Sequence, residues 1–330
     1  MSISPGALRF NTDSQKLELY DGNQWTEIVA SSPDSQTGGA RGVFSGGADI
    51  PVTDNVIDYI TISTTGNALD FGDMFDPRSY VGSCSSSIRG LWGGGYSPGR
   101  VNVIEFVTIS STGNGQDFGD LTTTRWGVTA CSSSTRGLFA TGSPTSSEGT
   151  PTNIIDYVTI ASTGDAIYFG DLNITGHYVS ACSSSTRGLF GGGNSNTIEF
   201  VTISTLGNSA DFGDLTRIFK NGVTCSNATR GLFGGGLTTP TSTNTIDFIT
   251  IATLGNATDF GDLTAERHTL GACSSSTRGI FGGGVVGPAY TKVIDYVTIM
   301  STGNAIYFGD LSVGRTYTNS SAFSNGHGGL

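Results

Sequence analysis

The residues able to do chemistry are few, and most recur at a regular spacing. Histidine occurs three times, at His177, His268 and His327, far apart in the chain. Cysteine occurs five times, at Cys84, Cys131, Cys182, Cys225 and Cys273. An odd number at wide spacing, with no Cys-x-x-Cys, suits neither a disulfide framework nor a zinc site. Two series of carboxylates stand out: Asp58, Glu105, Asp156, Glu199, Asp247 and Asp295, then Asp73, Asp120, Asp171, Asp214, Asp262 and Asp310. A series of arginines keeps step with them, at Arg41, Arg89, Arg136, Arg187, Arg230 and Arg278. A catalytic group is singular, whereas a group present once per unit reads as scaffold, forming an Arg–carboxylate bond or capping a turn. The alternative is a sixfold functional ring. No Gly-x-Ser-x-Gly, His-Glu-x-x-His or paired-carboxylate motif is present. The expectation is a protein with no catalytic residues, no metal and no cofactor.

The spacing belongs to a repeat. "STRGLFGGG" at residues 185–193 has near-copies in "SIRGLWGGG", "STRGLFATG", "ATRGLFGGG" and "STRGIFGGG", with a weaker first copy in "GARGVFSGG". Successive arginines lie 48, 47, 51, 43 and 48 residues apart, within the period of propeller blades. Each period reads as four strands. The phrase itself is one. An alternating run such as "IDYVTI" or "IEFVTI" is the next. A Thr-Gly-Asn turn then leads to a short strand ending in Phe-Gly-Asp, and a small, Ser-rich segment such as "YVSACSSS" closes the unit. No helical periodicity occurs. The cysteines share one position in the Ser-rich segment, with Phe323 in the sixth place. Free cysteine behaves there as a small apolar residue, equivalent positions are too far apart to cross-link, and Phe323 argues against a metal ring.

Composition agrees. Glycine makes up 50 of 330 residues and charged residues 13%. The net charge of −11 argues against nucleic acid as a partner. No apolar run is long enough for a membrane span, and "MSISPGALRF" has no signal-peptide pattern.

The repeat resembles the kelch motif. The Gly-Gly pairs Gly93-Gly94, Gly191-Gly192, Gly234-Gly235 and Gly282-Gly283 match that family, as do Arg78, Arg125, Arg217, Arg267 and Arg315. The third repeat has Gly176-His177 at the arginine position, and Phe-Gly-Asp replaces an outer-strand Trp. The resemblance covers residues 39–330. It implies an all-β, six-bladed propeller with the Ser-rich strands innermost. The first blade starts without an inner strand, and "TYTNSSAFSNGHGGL" at the end is an inner strand without a blade. The two ends are therefore expected to complete one sheet, because an open ring would leave exposed strand edges.

Antiparallel strands send alternate turns to opposite faces. One face carries the "SSSTRG" and "STTGNA" turns and hardly changes. The other carries loops that vary in length and content, from "NSN" to "SPTSSEGTPTN". Binding sites concentrate on such loops. The expected ligand face comprises Arg78, Tyr96, Arg125, Trp126, His177, Tyr178, Phe219, Lys220, Arg267, Tyr290, Arg315 and Tyr317, joined by Tyr80. Arginine with Trp and Tyr is the composition of binding hot spots. The alternative is that several of these residues pack between blades.

Residues 1–30 differ from the rest. "ALRFN", "KLELY" and "WTEIV", separated by "TDSQ" and "DGNQ", read as a small meander. Residues 31–38 read as a polar linker. So short a meander buries too little to stand alone and calls for a partner. This segment resembles attachment modules of bacteriophage tail-fibre and other virion proteins, through Leu8, Arg9, Phe10, Asn11, Tyr20 and Trp25. The propeller text resembles repeats in structural proteins of cyanophages. The resemblance implies a virion protein, assembled in the host cytoplasm. Residues 1–38 would bind other virion proteins or copies of the same chain, and the variable face would meet a host surface glycan or protein. Capsid decoration, a cellular kelch-type adaptor and a carbohydrate-active enzyme are the alternatives.

Overall fold

A computed structural model of the chain describes residues 4, 6–11, 16–20, 22–27, 40–49, 52–145, 151–238, 240–315 and 321–330. Every regular element among them is a β-strand. The chain divides into two compact units, residues 1–37 and 38–330.

The first unit is an antiparallel sheet of β1 (Leu8–Asn11), β2 (Lys16–Tyr20) and β3 (Trp25–Glu27), in that order. Leu8 lies opposite Leu19, Arg9 opposite Glu18 and Tyr20 opposite Trp25. Arg9 donates through Nε to Glu18 at 2.7 Å and lies over the Trp25 ring at 4.2 Å. Trp25 in turn packs 5.3 Å from Tyr20. Successive residues of a strand point to opposite faces, so Leu8 and Leu19 share the other face, 60% and 38% exposed.

The second unit is a six-bladed β-propeller. Blade 2 shows the pattern: an inner strand Gly82–Ser85, an Arg-Gly strand Arg89–Gly93, an alternating strand Val103–Thr108 and an outer strand Gln116–Asp120, paired in that order. Blade 1 takes its inner strand, Ala322–Ser324, from the far end of the chain and pairs it with Arg41–Ser45. Val56–Thr61 and Leu69–Asp73 complete that sheet. The expected closure is thus present.

Blades pack face to face, so both faces of each alternating strand are buried: Ile104 and Glu105 are both inaccessible. The outer strand carries one extra residue against it, giving a bulge at the same place in every blade, between Ile104 and Glu105 in blade 2. The extra residue is the Phe of Phe-Gly-Asp. Phe71, Phe118, Phe169, Phe212, Phe260 and Phe308 are all 2% exposed.

Three girdles tie neighbouring blades together. On the axis, each inner-strand serine donates its hydroxyl to the matching carbonyl of the blade before: Ser132 to Ser85, Ser183 to Ser132, Ser226 to Ser183, Ser274 to Ser226, Ser324 to Ser274 and Ser85 to Ser324. The cycle is complete. At the perimeter, the glycine of each turn before the outer strand bonds to the outer strand of the preceding blade, as Gly113 N–H does to Phe71 O at 2.8 Å. The third girdle involves the arginines of the repeated phrase, which do not bond to the repeated carboxylates as expected. Each guanidinium lies 4.5–4.8 Å from an aromatic ring of its own blade, Arg89 over Phe106 for example. Each then donates through Nη1 to a backbone carbonyl of the next blade, Arg89 to Ile160 O at 3.1 Å.

Candidate functional site

The turns from inner to Arg-Gly strand and from alternating to outer strand define a lower face. The remaining connections define an upper face, where the sequence places its candidate site. Four upper loops are not irregular: Ala48–Asp49 with Val52–Thr53, Tyr96–Ser97 with Gly99–Arg100, Leu237–Thr238 with Thr241–Ser242, and Val285–Val286 with Ala289–Tyr290 form two-stranded ribbons. Blade 4 has none. Its outer strand instead runs on through Ala210–Phe219 and pairs Phe219 with Ser195.

Just before five of the inner strands on this face stands a residue with left-handed backbone: Tyr80 (φ 59°), Gly127 (71°), Tyr178 (64°), Asn221 (55°) and Thr269 (55°). This conformation is strained by about 1 kcal/mol or more for non-glycine residues. Neighbouring loops support it, as Thr269 N–H donates to Asn221 O at 2.7 Å. The outcome is an aromatic cluster from three blades. Trp126 stacks on His177 at 5.1 Å and meets the edge of Tyr80 at 5.0 Å, and Tyr178 lies 5.8 Å from His177 and 6.3 Å from Trp126. Trp126 Nε1 donates to Thr145 O, and Lys220 Nζ lies 5.1 Å from the Tyr178 ring. Four of the expected ligand residues therefore converge: Trp126, His177, Tyr178 and Lys220. Trp126, His177 and Tyr178 are only 8–9% exposed, while Tyr80 and Lys220 are half-buried.

The other expected ligand residues are elsewhere. Arg78, Arg125, Arg267 and Arg315 are 0–1% exposed and do not reach the surface. They pair with the repeated carboxylates: Arg78 with Glu105, Arg125 with Asp156 at 2.7 Å, Arg267 with Asp295 at 2.7 Å and Arg315 with Asp58 at 3.0 Å. Arg217 does the same with Asp247. The packing alternative thus describes these arginines, and their place on a ligand face is corrected. Burial pulls each guanidinium below its usual pKa and pushes Glu105 and Asp247 up, against the opposing pull of the partner charge. Blade 4, with Gly176 at the arginine position, meets its buried Glu199 with the Asn173 N–H and the Ser209 hydroxyl. Phe219 is core, 1% exposed and edge-on to Phe233. Tyr96 and Tyr290 sit on separate ribbons, and Tyr317 lies outside the described residues.

The Ser-rich strands are innermost, as expected. The inner strands enclose a space of about 50 Å³ lined by the cysteine and serine layers. The five thiols are free, and each Sγ packs against the Arg-Gly glycine of the next blade. A Cβ on Gly137 would lie 2.7 Å from Cys84 Sγ, which is why the phrase keeps glycine after arginine. Burial pushes all five thiols up, Cys182 to about 12, so they are poor nucleophiles. Among the described residues no three His, Cys, Asp or Glu side chains are grouped to hold a metal ion.

Residues after Ser324 do not form another blade phrase; they close the lower mouth. His327 Nε2 donates to Ser85 O at 2.9 Å, while Nδ1 accepts the Gly329 N–H at 3.0 Å. A carbonyl accepts only and a backbone N–H donates only, so the ring is the neutral Nε2–H tautomer. Desolvation lowers its pKa to about 4, against the raising effect of the Ser85 bond. Gly328 N–H adds a bond to Ser226 O. The only signal for this stopper in the sequence is the run Gly326-His327-Gly328-Gly329, whose narrowness lets the chain pass between carbonyls.

No model of a known protein family matches the chain, and no curated protein matches it either.

Proposed function

We propose that the protein is a non-catalytic structural protein of a bacteriophage virion, a tail-fibre or host-recognition propeller anchored through its N-terminal sheet. The observation that carries this reading is the separate first unit with its two-faced sheet. Arg9, Tyr20 and Trp25, the residues through which the segment resembles phage attachment modules, stack on one another and hold the sheet. Leu8 and Leu19 stay exposed on the other face. A three-stranded sheet this small gains stability by covering such a face, and a virion protein supplies that cover. The cyanophage-like repeat text supports the same placement.

A second reading, capsid decoration, is favoured by the burial of Trp126, His177 and Tyr178. Rings covered by each other offer little face for a sugar to stack on.

Immunogold microscopy of intact particles, from the phage whose genome encodes the chain, tests the proposal. Antibody to the propeller should decorate the particles, and Leu8→Asp with Leu19→Asp should abolish incorporation while the propeller still melts cooperatively. Unlabelled particles would overturn the virion reading. Label confined to the capsid would select decoration, and label on the tail recognition.

A further inference from the structure

The lower face, uniform from blade to blade, carries a ring of accessible cations. Arg41, Arg89, Arg136, Arg187, Arg230 and Arg278 are all half-buried on it. None has an ion-pair partner among the described residues. Among the described residues, the only carboxylate side chain in the turns of this face is Asp165, which accepts the Asp120 N–H. Among the described residues six guanidinium groups thus face one side-chain carboxylate, on a chain of net charge −11. The opposite sign is gathered at the perimeter. Every outer strand carries the aspartate of its Phe-Gly-Asp, and Asp70, Asp117, Asp211 and Asp259 add four more.

The cations are also held in place. The aromatic ring beneath each guanidinium and the carbonyl accepting from Nη1 fix its plane, and the remaining N–H groups have no carboxylate to bind. A planar donor fork fixed in advance suits carboxylate, sulfate or phosphate groups. Hydroxyls surround it, from Ser and Thr in every turn. The six sites are near copies around one axis, which matches a ligand that is itself a repeat.

We propose that the lower face binds an anionic polysaccharide through this ring of arginines. A flexible repeating polyanion engages several equivalent sites at once and gains avidity from each. A stiff nucleic-acid duplex leaving the face would run over the acidic perimeter. This proposal does not depend on the virion reading and stands or falls on the lower face alone.

The test is binding of the full chain to dextran sulfate, polygalacturonate, neutral dextran and duplex DNA. Binding to one or both anionic polysaccharides is expected, weakening at least about ten-fold between about 50 and about 300 mM NaCl, with none to neutral dextran. Arg89→Gln with Arg187→Gln and Arg278→Gln should weaken it at least about ten-fold. A second variant leaves the arginines intact. Thr112→Glu with Thr163→Glu and Thr302→Glu places carboxylates on exposed turns of the same face and should produce the same loss with an unchanged melting temperature. Lys292→Gln, at an exposed lysine of the upper face, should change nothing. Retained affinity in the glutamate variant, equal affinity for neutral dextran, or tighter binding to duplex DNA than to either polysaccharide would each overturn the proposal.

Discussion

Arg125 and Arg136 stand eleven residues apart and do opposite things with the same side chain. Arg125 is buried against Asp156, with further bonds to Ile154 O and Phe139 O. Arg136 is half-buried on Tyr157, with one carbonyl acceptor on the next blade. A buried pair contributes little when compared with an apolar replacement, but breaking it strands a charge. Arg125→Met should therefore destabilise the propeller by about 3–5 kcal/mol in denaturant unfolding, and Arg125→Met with Asp156→Leu should recover most of that. A double variant as unstable as the single one would mean that the guanidinium acts through its carbonyl bonds. The recurrence of both arginine series is legible in the sequence. Which series meets the carboxylates is not, because the bonds cross from one repeat to the next and sequence spacing carries no register between sheets.

At the scale of elements, the strands and their order follow from the text of the repeat. The alternating run, the Phe-Gly-Asp strand and the Ser-rich inner strand all form where their patterns place them. The upper ribbons and the stopper do not show as patterns, since two-residue strands and a glycine run have no period. His327 makes the stopper sensitive to acid. Its pKa is about 4 in the folded chain against an ordinary 6.5, so the unfolded or released state binds more protons between those values. Stability contributed by the stopper is full above pH 6.5 and falls as pH drops toward 4, by about 1–3 kcal/mol once the partial exposure of the ring is allowed for. Nδ1 cannot accept the Gly329 N–H when protonated. Hydrogen exchange at Gly328 and Gly329 should accelerate from pH 7 to pH 4.5 beyond the intrinsic rate change, and His327→Gln should remove that pH dependence. A Cβ at Gly329 would lie 1.8 Å from Ser132 O, so Gly329→Ala should release the segment at any pH.

For the whole molecule, closure is the decisive feature. The seam joins Ala322–Ser324 to Arg41–Ser45 and completes the serine cycle through Ser324. Its packing differs from the other five joints: Phe323 replaces cysteine and meets Trp92, the one tryptophan where other blades carry phenylalanine, at 4.9 Å. Deleting residues 316–330 should leave blade 1 without its inner strand and expose the edge of Arg41–Ser45. The expected result is aggregation, or loss of a single cooperative melting transition by calorimetry. A soluble, cooperatively melting truncation would contradict a ring held by its seam.

The sequence by itself determined the all-β class, six blades, their strand order and the joining of the chain's ends, because each follows from local patterning repeated at a regular period. It also singled out Trp126, His177, Tyr178 and Lys220 as residues of one face. Tertiary structure alone decided their convergence, the burial of Arg78, Arg125, Arg267 and Arg315, the exposure of the repeated-phrase arginines and the stopper at His327. Those outcomes depend on how one sheet's face meets the next, and that packing joins residues 27 to 257 positions apart, beyond the reach of any local signal.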